Sequence, residues 1–351
     1  YGGLNDMRIA QAAPLIEPVP PRLYGGTERV VSYLTEALVG KGHEVTLFAS
    51  GDSKTSARLL SVIPNSIRLN HHGPDPYAYQ IIELTDVLAL ADEFDIIHSH
   101  LDYLAFPFCH SCGTPILHTL HGRQDYPYSV PMLQRYSDIA LVSISDSQRL
   151  PLAGLDLNWQ GTIYHGMPDD KFMLYGGEGG YLAFYSRLSR EKRPDLAIAV
   201  ARKAGIPLKI AGKVDVKERP FFEGVIRPML DEPFIEFIGE IGEDERPEFL
   251  GNARALLFPI EWPEPFGLVM IEAMAVGTPV ISRPYGAVPE VVEEGVTGFV
   301  CSSFDELAEA TCRVGEISRE ACLHRARERF SVDRMADQYL EVYRKLVCQE
   351  I

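Results

Sequence analysis

The feature that most constrains the fold is an alternation of short apolar segments with longer helical segments, which runs twice along the 351 residues. Several of the apolar segments are nearly continuous, as expected for parallel strands that are covered on both faces. After the first of them, residues 28–39 have helical spacing and end at Gly40. The predicted strands of the first half are residues 7–12, 44–50, 95–100, 114–119 and 139–145.

A polar, glycine-rich segment interrupts this alternation at residues 165–180, and we predict that it is a linker. The alternation then restarts, with a helix over residues 194–204 that Pro194 opens and Gly205 follows. The predicted strands of the second half are residues 181–186, 207–212, 234–239, 253–259 and 278–282.

Two such runs predict an α/β protein made of two doubly wound, Rossmann-like domains that face a central cleft. We place the first domain at residues 7–166 and the second at residues 167–330. The last segment, residues 331–351, contains an amphipathic helix that we expect to cross back onto the first domain. Because ligands of such sheets bind at the carboxyl ends of the strands, we expect the functional site in the cleft.

The charge balance and the cysteines restrict the function. The chain carries 33 basic and 49 acidic side chains, which argues against nucleic acid as a partner because that partner requires a basic face. No apolar segment is long enough to predict a transmembrane segment. Cys109 and Cys112 flank His110, but no second pair completes a metal-ligand spacing. We therefore expect reduced thiols and a cytoplasmic location.

Several sequence motifs that define other enzyme classes are absent. The chain has neither the D-x-D metal clamp of many sugar transferases nor the G-x-x-x-x-G-K-[S/T] phosphate loop. The G-x-G-x-x-G dinucleotide motif and the G-x-S-x-G nucleophile elbow are absent as well. These absences disfavour an NAD-dependent oxidoreductase, and we expect no bound metal.

The segment EPFGLVMIEAMAVGTPVI, residues 264–281, places two carboxylates in an apolar stretch. The prolines on either side of Glu264 delay the helix, so this acid is expected on a loop at the carboxyl end of a strand. Glu272 is expected inside a helix over about residues 267–276 that is apolar on all sides and therefore buried. A buried acid needs a partner, which is either the paired hydroxyls of a sugar or a core arginine or lysine. The spacing leaves both partners open.

A basic loop follows the first predicted strand of the second half. Arg187 offers a planar fork and Lys192 a point charge, which together suit a diphosphate. The alternative is a solvated basic loop, and we assign Arg190 and Arg193 to that alternative.

Two stretches of backbone are candidates for close contact with a ligand. The amides of residues 266–268, at a predicted helix N-terminus, suit a phosphate or a hexose oxygen. Gly25 and Gly26 lead into the first helix, where adjacent glycines either let a ligand approach the backbone or form a plain turn.

Four histidines lie at or near the ends of predicted strands in the first half. His121 is a candidate for substrate contact, although a histidine at a strand end is often only a satisfied polar residue. No acidic residues complete a zinc site around these histidines. The other three are His98, His100 and His118.

Together these segments resemble the family-4 retaining glycosyltransferases, which have the GT-B fold. Residues 264–281 are similar to the E-x7-E signature of that family, and residues 186–198 to its donor-phosphate loop. Residues 24–31 resemble its glycine loop, and residues 117–122 its Thr-x-His segment. The resemblance covers roughly residues 8–330, and its wording is most similar to the subgroup that includes the avilamycin-type transferase.

The resemblance implies that the second domain binds a nucleotide-sugar donor and the first domain an acceptor. The sequence departs from the family at Ser186, where the family usually has glycine, and at Arg193, where it often has glycine. The implied donor contacts are Glu272 with the ribose, Glu264 and the amides of Phe266, Gly267 and Leu268 with the hexose, Arg187 and Lys192 with the diphosphate, Gly26 with donor phosphate and acceptor, His121 with the donor sugar, and Ile241 with the base.

The activity implied by the resemblance is retaining transfer of a hexose from a nucleotide sugar to an acceptor hydroxyl. A UDP-sugar is the preferred donor, UDP-glucose above others, and the expected front-face mechanism needs neither a metal nor a cofactor. The acceptor is a small molecule, a saccharide or a lipid. Two alternatives stay open, namely a non-catalytic nucleotide-sugar-binding protein and a GT-B epimerase or phosphorylase.

Overall fold

The structure is a computed structural model that describes residues 6–70 and 75–349. Within these residues the chain divides into two compact units. One contains the residues up to Gly166 together with those from Val332 onward, and the other is Met167–Ser331. Each unit holds one parallel sheet flanked by helices, which confirms the predicted α/β architecture. No helix in the described part of the chain combines the length and the apolar composition needed to cross a membrane.

The first unit is built on a sheet of seven parallel strands in the order β3-β2-β1-β4-β5-β6-β7. Central strand β1 pairs on both sides, with Ile9 opposite Val45 and Ile96. The strands are β1 Arg8–Ala12, β2 Glu44–Phe48, β3 Arg58–Leu60, β4 Ile96–Ser99, β5 Ile116–Leu120, β6 Ala140–Ser143 and β7 Trp159–Thr162. The α-helices before the second unit are α1 Gly26–Gly40, α2 Ile67–Asn70, α3 Pro76–Ala89 and α4 Ser129–Arg135.

The second unit is built on a sheet of six parallel strands in the order β10-β9-β8-β11-β12-β13. Its strands are β8 Leu182–Tyr185, β9 Leu208–Ala211, β10 Ile235–Gly239, β11 Ala255–Phe258, β12 Val280–Ser282 and β13 Gly298–Val300. Its α-helices are α5 Pro194–Ala204, α6 Arg219–Phe221, α7 Arg246–Gly251, α8 Leu268–Ala275, α9 Val288–Val291, α10 Phe304–Arg313 and α11 Arg319–Phe330.

The last helix, α12 (Val332–Gln349), belongs to the first unit and packs against α1. Apolar residues recur along it at helical spacing, so one face is buried and the other is polar. Tyr339 and Tyr343, one turn apart on this face, are almost completely buried. Their hydroxyl groups therefore need partners inside the unit.

Every strand predicted from the sequence is present, with bounds that are shorter by one or more residues. Three strands were not predicted, namely β3, β7 and β13. β3 and β7 are only partly buried, and β13 has three residues and begins with a glycine. None of the three therefore has the continuous apolar pattern that marks a strand covered on both faces.

The order of the strands reverses between β1 and β4 in the first sheet and between β8 and β11 in the second. In open parallel sheets the crevice outside the strand ends at such a reversal is the usual ligand site. The glycine loop follows β1 and the histidine segment follows β4 and β5. The basic loop follows β8 and the Glu264 loop follows β11. Each unit thus carries several of its predicted residues at or beside its own reversal point, whereas Ile241 follows the edge strand β10.

One side chain of α11 donates hydrogen bonds to several segments of the second unit. The guanidinium of Arg319 donates to the carbonyl oxygens of Tyr175 and Gly251, both at 2.7 Å, and of Ala253 at 3.1 Å. It also donates to Thr278 Oγ1 at 2.6 Å. Four acceptors from three segments, around residues 175, 251–253 and 278, therefore share one donor group.

We expect Arg319→Met to lower the free energy of unfolding of the second unit by about 2–4 kcal/mol, because several acceptors lose their donor at once. Chemical denaturation measures this change. Arg313→Met is the matched control, since Arg313 is half-exposed and donates its hydrogen bonds to nearby Glu316. That control should change stability by less than about 1 kcal/mol. Equal effects of the two substitutions would contradict the role given to Arg319.

Candidate functional site

Lys192 and Glu264 form a buried ion pair in the second unit. Lys192 ends a short 3₁₀ turn in the loop after β8, and Glu264 lies on the loop after β11. The ammonium contacts Glu264 Oε2, and the two side chains are 6% and 11% exposed. Because β8 and β11 are neighbours at the reversal of strand order, their loops emerge side by side and bring these residues together.

Aromatic rings enclose this ion pair. The indole N–H of Trp262 donates to Glu264 Oε2 at 2.9 Å. Lys192 Nζ lies 4.4 Å from the centre of the Trp262 ring and 5.3 Å from that of Phe258. Burial lowers the pKa of Lys192, and the charge of Glu264 opposes that effect. The ammonium is thus a desolvated charge held by a carboxylate and two ring faces.

Arg187 stands at the start of the same loop as Lys192. Its guanidinium lies 3.2 Å from Glu191 Oε1 and 3.6 Å from Asp215 Oδ2. It is near enough to Lys192 for its charge to contribute to the lowered pKa of that lysine. The structure therefore brings together three of the predicted donor residues, namely Arg187, Lys192 and Glu264.

Glu272 has a different partner from Glu264. Its Oε1 accepts from Arg246 Nη1, and the side chains are 8% and 5% exposed. The guanidinium of Arg246, at the start of α7, also lies 5.4 Å from the centre of the Tyr185 ring. Of the two partners that the sequence left open, the structure supplies the core arginine. The ribose contact of Glu272 stays a prediction, and sequence reasoning missed Arg246.

The loop that carries Glu264 is fixed by the backbone of its neighbours. The N–H of Ala287 donates to the carbonyl of Glu264 at 2.8 Å, and the N–H of Glu261 donates to Glu191 at 2.9 Å. A Cβ atom added to Gly286 would lie 2.2 Å from the backbone N and O of Glu264. Gly286 also has a φ of +60°, so only glycine fits there without displacing the acid.

The remaining predicted donor residues of the second unit lie around α8 and after β10. Gly267 precedes α8 with a φ of +83°, and Leu268 is the first helical residue. Phe266 and Ile241 are both buried apolar side chains. These positions leave their predicted contacts with a hexose and a base as predictions.

Arg193 has the backbone conformation that glycine, which the resemblance implies is often found at this position, adopts most easily. Its φ of +55° is left-handed, a conformation that glycine adopts most easily. We expected a solvated charge, but the guanidinium instead contacts Asp195 at 2.9 Å and also pairs with Glu261. These two acids hold the side chain in place and so compensate for the strained backbone.

The histidines of the first unit are not equivalent. His121 Nε2 lies 2.9 Å from His100 Nδ1, and the His121 ring stacks on His165 with centres 5.4 Å apart. Burial lowers the pKa of His121 to about 3, so its ring is neutral at physiological pH. His118 instead contacts Cys109 Sγ at 2.9 Å, and burial raises the pKa of that thiol to about 12. Among the described residues no group of histidine, cysteine, aspartate or glutamate side chains could hold a metal ion.

Gly26 is exposed at the first position of α1. Gly25 is buried against Pro21, and a Cβ atom added to Gly25 would lie 2.6 Å from the Cβ of that proline.

Asp102, which sequence reasoning missed, has a left-handed φ of +47°. Its carboxylate accepts the N–H of His121 at 3.3 Å, and burial raises its pKa to about 6. A strained acid beside His121 marks this loop as part of the candidate site.

We expect Arg246→Met to lower the free energy of unfolding by about 3–5 kcal/mol, because it leaves Glu272 buried without its cation. The double variant Arg246→Met/Glu272→Gln should recover most of this loss, because it removes the buried charge as well. Denaturant titration of the two variants and of Glu272→Gln completes the cycle. A single Arg246→Met variant within about 1 kcal/mol of the parent would mean that Glu272 does not depend on this pair.

Two family models match the chain. The model described as Glycosyltransferase Family 4 matches residues 24–149, which include the glycine loop and His121. The model described as Glycosyl transferases group 1 matches residues 175–329, which include the Lys192–Glu264 pair.

Two curated relatives match over nearly the whole chain. An uncharacterized glycosyltransferase of Methanocaldococcus jannaschii is 24% identical over 93% of this chain and 95% of its own length. The N-acetyl-alpha-D-glucosaminyl L-malate synthase of Bacillus anthracis is 26% identical over 91% of this chain and 93% of its own length.

Solved structures of glycosyltransferases share the fold. AviGT4, a glycosyltransferase involved in avilamycin A biosynthesis, matches with a TM-score of 0.72 at 23% identity, over 97% of this chain and 98% of its own. Sucrose-phosphate synthase of Thermosynechococcus elongatus matches with a TM-score of 0.81 at 19% identity, over 98% and 100%. HepE of Anabaena, solved with UDP and glucose, matches with a TM-score of 0.75 at 17% identity, over 97% and 100%. Since the two family models together span most of the residues, the chain belongs to the family-4 glycosyltransferases of the GT-B fold, as the resemblance predicted.

Proposed function

We propose that the protein transfers a hexose from a nucleotide sugar to an acceptor hydroxyl, with retention of configuration and without a metal. A UDP-sugar is the preferred donor, UDP-glucose above others. The observation that carries this proposal is the buried Lys192–Glu264 pair at the reversal of strand order in the second sheet. This pair sets a cation and an acceptor of hydroxyl hydrogen bonds side by side, which is the chemistry that a sugar diphosphate requires.

Negative charge develops on the diphosphate as the bond to the sugar breaks. Lys192 and Arg187 stand on one loop and supply two cations for that charge, and their positions are fixed before the donor binds. The N-terminus of α8 adds the positive end of a helix dipole beside Glu264. Preorganised charge of this kind stabilises a transition state without further rearrangement.

The same cations support transfer without a metal. Metal-dependent sugar transferases commonly hold the diphosphate through a D-x-D clamp, which this sequence lacks. Here the fork of Arg187 and the point charge of Lys192 offer the interactions that the metal would supply.

Glu264 is better suited to hold the donor than to attack it. Lys192 and the indole N–H of Trp262 already occupy Glu264 Oε2, which lowers the nucleophilicity of the carboxylate. We therefore propose a front-face substitution. The bond between the anomeric carbon and the diphosphate oxygen breaks while the acceptor oxygen forms its bond on the same face. The acceptor proton passes to an oxygen of the departing phosphate, and UDP leaves.

UDP-glucose is preferred because the structurally similar HepE was solved with UDP and glucose.

We propose that tyrosines of the first unit bind the acceptor. Tyr126 and Tyr128 are 43% and 48% exposed, and their rings stack with centres 5.3 Å apart. Tyr103 meets Tyr128 edge-on at 5.6 Å. Such exposed rings suit an acceptor with an apolar face, such as a saccharide.

We expect the purified protein to release UDP from UDP-glucose slowly in water and faster with a suitable acceptor, at an unchanged rate in excess EDTA. A coupled UDP-release assay measures the rates, with GDP- and ADP-glucose as comparison donors, and NMR of the product determines the anomeric configuration. A non-catalytic binder would bind UDP in a thermal-shift assay without releasing it from UDP-glucose. Inversion of configuration would contradict the proposed retention. Loss of turnover in EDTA would contradict the proposed transfer without a metal.

We expect Lys192→Ala to reduce turnover at least tenfold, which corresponds to about 1.4 kcal/mol of lost transition-state stabilisation. The fold should survive with a lower free energy of unfolding, because Glu264 loses its cation but keeps its hydrogen bond from Trp262. Arg190→Ala is the matched control, since Arg190 is an exposed cation on the same loop. Circular dichroism checks the fold of both variants. Near-parental turnover of the Lys192 variant would remove this residue from the mechanism.

A further inference from the structure

A chain of hydrogen bonds joins helix α12 to His121 in the first unit. Tyr343 Oη lies 3.1 Å from Gln11 Nε2. Gln11 Oε1 lies 2.7 Å from His100 Nε2, and His100 Nδ1 lies 2.9 Å from His121 Nε2. Tyr343, Gln11 and His100 are almost completely buried. No solvent is therefore available to take the place of a missing partner.

The orientation of the Gln11 amide gives this chain a direction. Its Nε2 faces Tyr343 and donates to the phenol oxygen. Because an amide N–H cannot accept, the single hydrogen of the phenol is left for His98 Nδ1, which lies 2.7 Å away. Gln11 Oε1 faces His100 and can only accept. The hydrogen between Gln11 and His100 must therefore reside on His100 Nε2.

This direction determines the tautomer of His121. Burial lowers the pKa of His100 well below its usual value, so its ring is neutral and carries one hydrogen. That hydrogen is on Nε2, which makes His100 Nδ1 an acceptor and requires His121 Nε2 to donate. His121 is neutral as well, so its Nδ1 carries only a lone pair. Among the residues that the structure describes, this buried Nδ1 has no hydrogen-bond partner.

We infer that Tyr343 is a positioning residue, which orients Gln11 and thereby holds His121 as the Nε2–H tautomer with Nδ1 ready to accept from a ligand hydroxyl. The identity of that hydroxyl, on the donor sugar, rests on the proposed function, whereas the tautomer does not. With the Gln11 amide reversed, every donor and acceptor in the chain would exchange roles, and His121 Nδ1 would become a donor. The hydroxyl of Tyr343 links the amide to His98 and so couples these orientations.

Histidine-labelled protein gives a direct test by NMR, since the ring shifts distinguish the two neutral tautomers. We expect His121 of the parent protein to be the Nε2–H form. Tyr343→Phe keeps the buried ring and removes only the hydroxyl, so the Gln11 amide can turn and both tautomers should be populated. With equal populations the competent fraction is halved, and the KM for UDP-glucose should rise about twofold with little change in kcat.

Tyr339→Phe is the matched control, because it removes a buried hydroxyl one turn away on the same helix. Tyr339 Oη lies 2.9 Å from Thr119 Oγ1, which contacts His98 on the ring nitrogen opposite Tyr343. This variant should keep one tautomer and the parental KM. Gln11→Leu is a second test, and it should mix the tautomers as Tyr343→Phe does.

An Nδ1–H form of His121 in the parent protein would overturn the inference, as would a single unchanged tautomer in both Tyr343→Phe and Gln11→Leu. Absence of UDP release from the parent protein would contradict the proposed function instead. The NMR result would still decide the tautomer, so the two failures are distinguishable.

Discussion

The ion pair between Lys192 and Glu264 is the interaction on which the second unit's site depends. Removing two charges from water is unfavourable unless each charge is well partnered, so such a pair requires accurate geometry. The fold meets this requirement through adjacent parallel strands, whose loops are joined by the backbone hydrogen bond from Glu261 to Glu191. The close approach of Gly286 then fixes the backbone of the acid. The strand order of the sheet therefore positions the charged groups of the site as much as the loops themselves do.

The two acids of the E-x7-E segment show how one sequence motif produces two environments. Glu264 lies on a loop, with its cation on the neighbouring loop and an indole beside it. Glu272 lies inside α8 and is neutralised by a cation from α7. The first pair stands where a sugar diphosphate is expected, whereas the second also ties two helices of the unit together. The proposed donor binding and the packing of two helices thus depend on the same short segment.

The sequence allowed the central strands, the two sheets and the loops that bear Lys192 and Glu264 to be predicted, because continuous apolar segments and punctuating prolines are local signals. Arg246 gave no such signal, since it lies 26 positions before Glu272 and meets it only through the packing of α7 on α8. The left-handed backbone of Arg193 was equally hidden, because arginine does not usually mark that conformation. Aspartate adopts it more often than most residues do, but the chain has many aspartates and nothing local singles out Asp102. Local patterns therefore gave the framework, and long-range packing determined the partners of its charged groups.

The return of α12 to the first unit has a consequence for synthesis of the protein. Gln11 and His98 emerge from the ribosome early, yet the phenol that joins them is translated only after the whole second unit. Translation proceeds at roughly 5–20 residues per second, so these polar groups of the nascent first unit would lack that partner for roughly tens of seconds. The first unit therefore completes this part of its packing only after the second unit has been translated.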